Sequence, residues 1–214
     1  TTVELREKVG EAIGISADRV YVTNIHSHAA PRVVQDPNIP GALQFREFVF
    51  EKTIAAAKKA VSDMAPAKLS IADKQVPGMT FVRHWIMKDG SYAGPNFGDL
   101  RKEFAGHATR ADETMLLLKL TREGKQDILM VNWQSHGTFV GHPEEGILSA
   151  DYIGAFRNHF AGITGCHVGF YQGACGNLVP TSSIEELNRV EKDPVAYGRL
   201  LAEEAAACLE NLTL

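Results

Sequence analysis

Segments with the pattern of β-strands alternate with segments of helical period along this chain, and this succession limits the folds that it can adopt. A short turn around Gly124 joins two of the strands into a hairpin, which is antiparallel, whereas helices between the other strands favour parallel pairing. The sequence therefore predicts an α/β fold with a mixed β-sheet flanked by helices. Predicted helices cover residues 3–13, 43–64, 151–160 and 193–209, and predicted strands cover residues 19–24, 68–74, 80–87, 113–121, 127–134 and 166–171.

The length of the chain bounds the number of domains. With 214 residues it can bury one good-sized core, and we predict a single domain over residues 1–214. Folds of this class usually begin on a strand, whereas this chain begins on a helix, so we expect a first strand before Thr1. Residues 91–112 are rich in glycine and polar side chains and are predicted to form one long loop.

Composition argues against several classes of protein. The net charge is −4 and no basic stripe is present, so we expect no nucleic-acid surface. No apolar run approaches the roughly 20 residues of a membrane span, so we expect no transmembrane segment. Three cysteines, an odd and sparse number, do not indicate a disulfide framework. A cytoplasmic and a secreted location both stay open, and so does the oligomeric state.

Two histidine motifs each follow an apolar run. His26 and His28 come after the predicted strand at residues 19–24, and His136 comes at the end of the strand at 127–134. Residues i and i+2 of a strand point to the same face, so His26 and His28 are expected to project together. We predict that His26 and His136 share one metal ion at about 2.0–2.1 Å from each nitrogen. Satisfied polar residues at strand ends are the structural alternative.

Further polar groups are expected at the same edge of the sheet. Arg83 lies within the predicted strand at 80–87, and the turn with Gly173, Gly176 and Asn177 follows the strand at 166–171. A metal ion, an arginine and backbone amides together suit acyl transfer, because they polarise a carbonyl and stabilise the oxyanion that develops on it. The structural alternatives are a salt bridge for Arg83 and an ordinary tight turn for the loop. His107 is expected to be solvated in a polar loop.

Four motifs, in order over residues 1–180, carry a resemblance to one enzyme family. They are His-Ser-His at residues 26–28, Val-Arg-His-Trp at 82–85, Ser-His-Gly-Thr at 135–138 and Gln-Gly-Ala-Cys-Gly-Asn-Leu-Val-Pro at 172–180. Together they resemble the N-terminal domain of the neutral/alkaline, non-lysosomal ceramidases. The resemblance implies a hydrolase that uses Zn²⁺ to cleave the amide bond of an N-acyl, ceramide-like small molecule or lipid.

The resemblance also implies roles for single residues. His26 and His136 would bind zinc, and His28 and Arg83 would orient the amide carbonyl and stabilise its tetrahedral intermediate. The turn with Gly173, Gly176 and Asn177 would face the substrate and its oxyanion.

The chain departs from the family pattern at two places. Val179 stands where the family has a serine, and Asn177 stands where it has an aspartate. The remaining zinc ligands of the family, a glutamate and a tyrosine, come from sequence beyond this chain. We therefore expect the chain to lack the C-terminal part of the family domain and to bind zinc weakly, unless Glu144, Glu145 or His28 replaces a missing ligand.

Two other functions stay open. A catalytically inactive, ceramidase-like binding domain would explain Val179. A caspase-like cysteine peptidase would use Cys175 as nucleophile and His136 as base, since Ser-His-Gly and Gln-Gly-Ala-Cys-Gly both follow predicted strands. Against the peptidase, we predict that Cys175 is a small buried residue of a turn.

Overall fold

The expected α/β fold with a mixed sheet is present in a computed structural model that describes residues 2–94, 103–141 and 146–213. The helices are α1 (Thr2–Ile13), α2 (Ala42–Ser62), α3 (Asp151–Thr164) and α4 (Pro194–Cys208), with 3-10 turns at Ala17–Arg19, Glu185–Leu187 and Leu209–Asn211. The strands are β1 (Ala67–Gln75), β2 (Phe81–Val82), β3 (Trp85–Met87), β4 (Tyr92–Ala93), β5 (Phe104–His107), β6 (Thr114–Arg122), β7 (Ile128–Trp133), β8 (His167–Gln172) and β9 (Leu178–Val179).

The main sheet has four strands in the order β1-β6-β7-β8. Both β1–β6 and β6–β7 are antiparallel, and β6–β7 is the predicted hairpin. The crossover through α3 makes β7–β8 parallel, with Val131 opposite Phe170. Because β7 and β8 run in the same direction, the segments that follow them leave the sheet at the same edge.

Alternate residues of β7 build the main core. Leu129, Val131 and Trp133 are fully buried, as expected for one face of a strand. They belong to one apolar cluster with the inner faces of α3 and α4. The opposite face of the sheet is more open, since Ile71 and Leu116 are each about half exposed.

Helices α3 and α4 approach each other closely at Gly198. A Cβ atom added there would lie 2.5 Å from the carbonyl oxygen of Tyr152 and 2.8 Å from the amide nitrogen of Phe156. Helix α4 begins as its sequence predicts, because Asp193 accepts a hydrogen bond of 2.6 Å from the amide of Ala196 and proline occupies the first turn.

Two predictions for the segment between β1 and β6 are wrong. Residues 80–87 form two short strands instead of one, because β2 pairs with β9 while β3 pairs with β4 and β5. The predicted loop at 91–112 contains the short strands β4 and β5, which pair with β3. The part of this loop at residues 95–102 lies outside the described residues.

The described residues divide into two compact units, Thr1–Asn24 with Ala30–Pro66 and Ile25–Ala29 with Ala67–Leu214. In the first unit, α1 and α2 pack through Leu5, Val9 and Phe50. The predicted strand at residues 19–24 is wrong: a 3-10 turn ends at Arg19, no strand follows, and Tyr21 is 93% exposed. No described strand pairs with these residues. Val20 is partly buried against the cluster of Leu5, Val9 and Phe50, whereas Tyr21 and Val22 are exposed.

None of the helices in the described ranges combines the length and the apolar character that crossing a bilayer requires.

Candidate metal centre

A single parallel bridge places the first histidine motif beside the second. Ser27 pairs with Gly137, and the amide of His28 donates to the carbonyl of Gly137 at 3.3 Å. The two motifs therefore run side by side in the second compact unit. The sequence predicts a strand before His26 and His28, but the described residues there form none. Short motifs aligned through one bridge replace the two neighbouring strand ends that we expected.

Three imidazoles meet at this bridge. The ring centroids of His26 and His136 are 4.5 Å apart. The centroid of His28 lies 5.2 Å from that of His26 and 5.4 Å from that of His136. One nitrogen from each ring can be chosen so that all three lie within 4.8 Å of one another. Such a donor set can hold a metal ion, because imidazole nitrogen is a common ligand of Zn²⁺ and neighbouring transition metals.

The ring of His136 is the most firmly held of the three. It is 4% exposed, and its Nδ1 lies 2.6 Å from the carbonyl oxygen of Cys175 and 3.1 Å from that of Leu178. Since a carbonyl only accepts hydrogen bonds, Nδ1 carries the proton and donates. Nε2 is left with a lone pair, and this is the tautomer that a metal-binding histidine adopts when a carbonyl fixes its other nitrogen.

The local environment favours neutral imidazoles. Burial lowers the pKa of His26, His28 and His136, and the positive charge of Arg83 lowers each of these pKa values further. The two carbonyl hydrogen bonds of His136 oppose this effect for that residue. A neutral imidazole is the form that binds a metal ion, so the three rings are suited to ligation near neutral pH.

Arg83 lies near the three histidines, but the prediction that it lies within a strand is wrong. It occupies the break between β2 and β3, where its amide donates to the carbonyl of Asn177 at 2.8 Å. Its positive charge contributes to the lowered pKa of all three histidines, so the guanidinium lies within electrostatic range of them. The geometry therefore brings Arg83 together with the residues that the sequence grouped with it.

A buried carboxylate completes the surroundings of His28. Asp151 is 5% exposed and accepts hydrogen bonds from the amides of Val140 at 2.8 Å and Tyr152 at 2.7 Å. Burial raises the pKa of Asp151, and its negative charge acts to raise the pKa of His28, opposing the burial of that ring. Sequence analysis did not single out Asp151 as a site residue, because an aspartate at the start of a helix is ordinary.

Backbone strain concentrates beside the cluster. Among the described residues, His26 and Asp151 are the two non-glycine residues with positive φ, both at 54°. Such conformations cost about 1–3 kcal/mol each and are common at functional sites. A hydrogen bond of 2.7 Å from the hydroxyl of Ser27 to the carbonyl of Ser149 ties the two regions together.

The glycine-containing turn supports the cluster through its carbonyls. The amide of Gly173 donates to the carbonyl of Trp133 at 2.9 Å, so it is not available to an oxyanion. A Cβ atom at Gly173 would lie 3.0 Å from that of Gln134, which explains the glycine. The amides of Gly176 and Asn177 donate to no backbone carbonyl among the described residues.

Cys175 is buried, as predicted, and does not resemble a nucleophile. Burial raises the pKa of its thiol, whereas nucleophilic cysteines have a lowered pKa. His136 binds the main-chain carbonyl of Cys175 through Nδ1. This geometry gives no support to the cysteine peptidase alternative.

Glu144 and Glu145, which the sequence suggests as substitute ligands, lie outside the described residues, and so does the further histidine His142. The expectation that His107 is solvated is wrong, because both of its ring nitrogens contact hydrogen-bond partners within the fold.

Comparison with known proteins supports the fold. No protein-family model and no curated protein matches the sequence. The neutral ceramidase from Pseudomonas aeruginosa is similar in structure, with a TM-score of 0.64 and 13% identity over 98% of this chain and 34% of that chain. A ceramidase complexed with C2 has a TM-score of 0.61 and 15% identity over 100% of this chain and 35% of that chain. The chain thus spans about a third of the length of these structures, and at such low identity the likeness shows the fold alone.

Proposed function

We propose that this chain is a metal-dependent, ceramidase-like amide hydrolase whose ion is bound by His26, His28 and His136. The observation that carries the proposal is the ring of His136, which is buried, fixed at Nδ1 by two carbonyls and adjacent to two further imidazoles. This ring is held at Nδ1 and lies beside two other potential ligands, which an isolated core histidine would not have.

Zinc is the metal that this donor set suits best. Catalytic zinc sites have three protein ligands and one open position, and three histidines are a known set. The sequence assigned His28 to the substrate carbonyl, but its nitrogen lies within the same 4.8 Å group as the other two, so we propose His28 as the third ligand. With no carboxylate among the three ligands, we expect weaker binding than at a site with an anionic ligand.

The reaction needs a polarised carbonyl and a stabilised oxyanion. A bound zinc ion would supply Lewis acidity towards the carbonyl and would lower the pKa of water. Arg83 would donate hydrogen bonds to the carbonyl oxygen and stabilise its developing negative charge. The amides of Gly176 and Asn177, in the turn that supports His136, would be further donors on the same side.

The substrate class rests on the fold. Both structures named above are ceramidases, and the histidines and Arg83 lie in sequence motifs that resemble this family. We therefore propose an N-acyl, ceramide-like amide, either a small molecule or a lipid. Because the chain spans about a third of those structures, residues outside it would contribute to recognition of the acyl chain in a longer protein.

A binding domain without activity is the second candidate, and one observation favours it. By the resemblance to the family, Val179 stands at the position of its serine, and it lies in β9, paired with Phe81, where it offers no hydroxyl group. In that case the three histidines would bind a metal ion and the chain would not hydrolyse amides.

Metal analysis and hydrolysis together test the proposal. The purified chain is loaded with zinc, dialysed and analysed for metal content, and hydrolysis of a short-chain N-acyl amide is followed by release of the amine. We expect about one zinc per chain, with loss of zinc and of hydrolysis in both His26→Ala and His136→Ala. The matched control is His167→Ala, an exposed histidine of β8.

Each outcome separates the candidates. Equal zinc content in His136→Ala and wild type would overturn the metal site. Zinc that binds through these histidines, without hydrolysis of any N-acyl amide by wild type or Val179→Ser, would establish the binding domain instead.

A further inference from the structure

We infer that His107 is a positioning residue for Arg83, because it fixes the peptide group through which Arg83 enters the candidate site. The inference rests on the proposed function for its effect on catalysis. The placement of Arg83 itself is testable without activity.

His107 is held on both sides of its ring. Its Nδ1 lies 2.5 Å from the carbonyl oxygen of Val82, and its Nε2 lies 2.8 Å from the hydroxyl oxygen of Ser182. Phe81 stacks on the ring with centroids 5.4 Å apart, and Phe104 meets its edge at 5.3 Å. The imidazole therefore has one position and one orientation between β2 and the segment that follows β9.

The two contacts define the tautomer of His107. A carbonyl can only accept, so Nδ1 carries the proton and donates to Val82. In the neutral ring Nε2 is then an acceptor, and the hydroxyl of Ser182 donates a hydrogen bond to it. The oxygen of Ser182 in turn accepts a hydrogen bond from the amide of Ile184 at 3.0 Å. Each ring nitrogen of His107 and the hydroxyl of Ser182 therefore have a hydrogen-bond partner.

The bond to Val82 acts directly on Arg83 because the two residues share a peptide group. The carbonyl of that group accepts from His107, and its N–H, which belongs to Arg83, donates to the carbonyl of Asn177 at 2.8 Å. In a trans peptide these two groups point in opposite directions. His107 on one side and Asn177 on the other thus fix the plane from which the side chain of Arg83 starts.

Ser182 provides a firm base for this contact. It is 1% exposed, its amide donates to Oδ1 of Asn188 at 2.6 Å, and its carbonyl accepts from Nδ2 of the same side chain at 3.1 Å. A displacement of His107 would therefore move the two-residue strand β2, and with it Arg83.

His107 does not itself touch the histidine cluster, so its removal should alter the site only through Arg83. Misplacement of a transition-state donor by about 1 Å can cost on the order of 100-fold in rate. We expect His107→Ala to lower kcat by roughly 10- to 100-fold with little change in KM or zinc content. His107→Asn, whose amide can still donate to Val82, should recover most of the loss.

Hydrogen exchange of the Arg83 amide tests the placement independently of activity. We expect exchange about tenfold faster in His107→Ala, near wild type in His107→Asn, and unchanged in the matched control His84→Ala, an exposed neighbour in the same segment. Ser182→Ala provides a second perturbation if His107→Ala does not fold, and it should also speed this exchange.

A double variant separates positioning from general destabilisation. If His107 acts through Arg83, then Arg83→Ala with His107→Ala should have the kcat of Arg83→Ala alone. Unchanged exchange of the Arg83 amide in both His107→Ala and Ser182→Ala would overturn the inference, and so would multiplied losses of kcat in the double variant. If wild type proves inactive, the exchange experiment still decides the placement.

Discussion

At the scale of single residues, the charge of Arg83 has two opposite consequences for the proposed site. It lies within electrostatic range of three imidazoles that would hold a cation, and it lowers their pKa values in addition to the effect of burial. The same charge would repel a divalent ion and attract an oxyanion. An arginine at this place is therefore unfavourable for a site that only binds metal, and it is useful to a site that stabilises negative charge during a reaction.

Replacing Arg83 separates these effects. We expect Arg83→Ala to bind zinc up to about tenfold more tightly, because the repulsion is removed, and to lower kcat by about 10²–10³-fold, because a transition-state donor is lost. Arg83→Lys keeps the charge without the planar pair of donors, so its zinc affinity should stay near that of wild type while its kcat falls. Competition with a chromogenic chelator and steady-state kinetics measure both. Weaker zinc binding in Arg83→Ala would contradict this account.

At Val179 the proposed hydrolysis can be tested by adding a hydroxyl group to the site. Its side chain carries no hydroxyl, and it is half-buried in β9 next to the turn that supports His136. We expect Val179→Ser to raise the turnover of an N-acyl amide, since the hydroxyl would lie where the ceramidase family has its serine. Val179→Ala is the control for the lost apolar contacts, and equal turnover in the two variants would exclude a role for the hydroxyl.

That His26, His28 and His136 lie together could be predicted because two short histidine motifs stand out in the sequence, although the strand expected before His26 is absent from the described residues. Their surroundings could not. The carbonyls of Cys175 and Leu178 contact His136 through the main chain, which every residue has, so no residue type marks them. Asp151 approaches His28 only because of the tertiary fold.

At the scale of secondary structure elements, the contact between α3 and α4 sets the position of Asp151, since this residue begins α3. The contact is close because Gly198 has no side chain, and the atoms that a Cβ would meet belong largely to the backbone of α3. Backbone atoms cannot rotate away, so the two helices would have to separate.

Replacing a glycine by alanine should therefore change the free energy of unfolding in opposite directions at Gly198 in α4 and at Gly162 in α3. We expect Gly198→Ala to lower the free energy of unfolding by about 1–3 kcal/mol through overpacking. Gly162→Ala in α3, where a Cβ meets no atom within 4 Å, should raise it by about 0.5–1 kcal/mol through helix propensity. Urea denaturation of both variants measures the difference. A neutral effect at Gly198 would mean that the helices are less closely packed than the structure indicates.

Elements with a local signal were predictable, and those that depend on distant partners were not. Helix α4 has its capping aspartate and proline, and the β6–β7 hairpin has its glycine turn, so both were placed within two residues. The apolar run at residues 19–24 resembles a strand, but no described strand pairs with it. The break between β2 and β3 follows from pairing with β9, about a hundred residues away in sequence.

At the scale of the whole molecule, the main sheet gathers the candidate site at one edge. The segment after β7 supplies His136, and the segment after β8 supplies the carbonyls that fix it. Parallel pairing of β7 and β8 brings these two segments together, and the Ser27–Gly137 bridge adds the remaining imidazoles. A sheet edge of this kind places polar groups next to a core that holds them rigidly.

The burial of these histidines should make the free energy of unfolding decrease in mild acid. Desolvation lowers the pKa of His26, His28, His107 and His136 in the folded chain below the unfolded value of about 6.5. Between the folded and unfolded pKa values the unfolded chain binds more protons, so the free energy of unfolding increases with pH there. Stability should be fully present above about pH 6.5 and should decline as the pH falls below it. Carboxyl groups contribute little in this range, because most titrate near pH 4.

Urea denaturation of the metal-free chain at about pH 7.5 and about pH 5.5 measures this slope. We expect a lower midpoint at the more acidic pH, because protonation of the unfolded chain draws the equilibrium towards it. His107→Asn removes one of these groups and should reduce the difference between the midpoints, whereas His167→Asn, at an exposed position, should leave it unchanged. Zinc should raise the midpoint more at the higher pH, since protons compete with the ion for the same imidazoles. Identical midpoints at both pH values in the metal-free chain would show that these histidines are not buried as neutral groups, and the proposed state of the His136 ring would then be wrong.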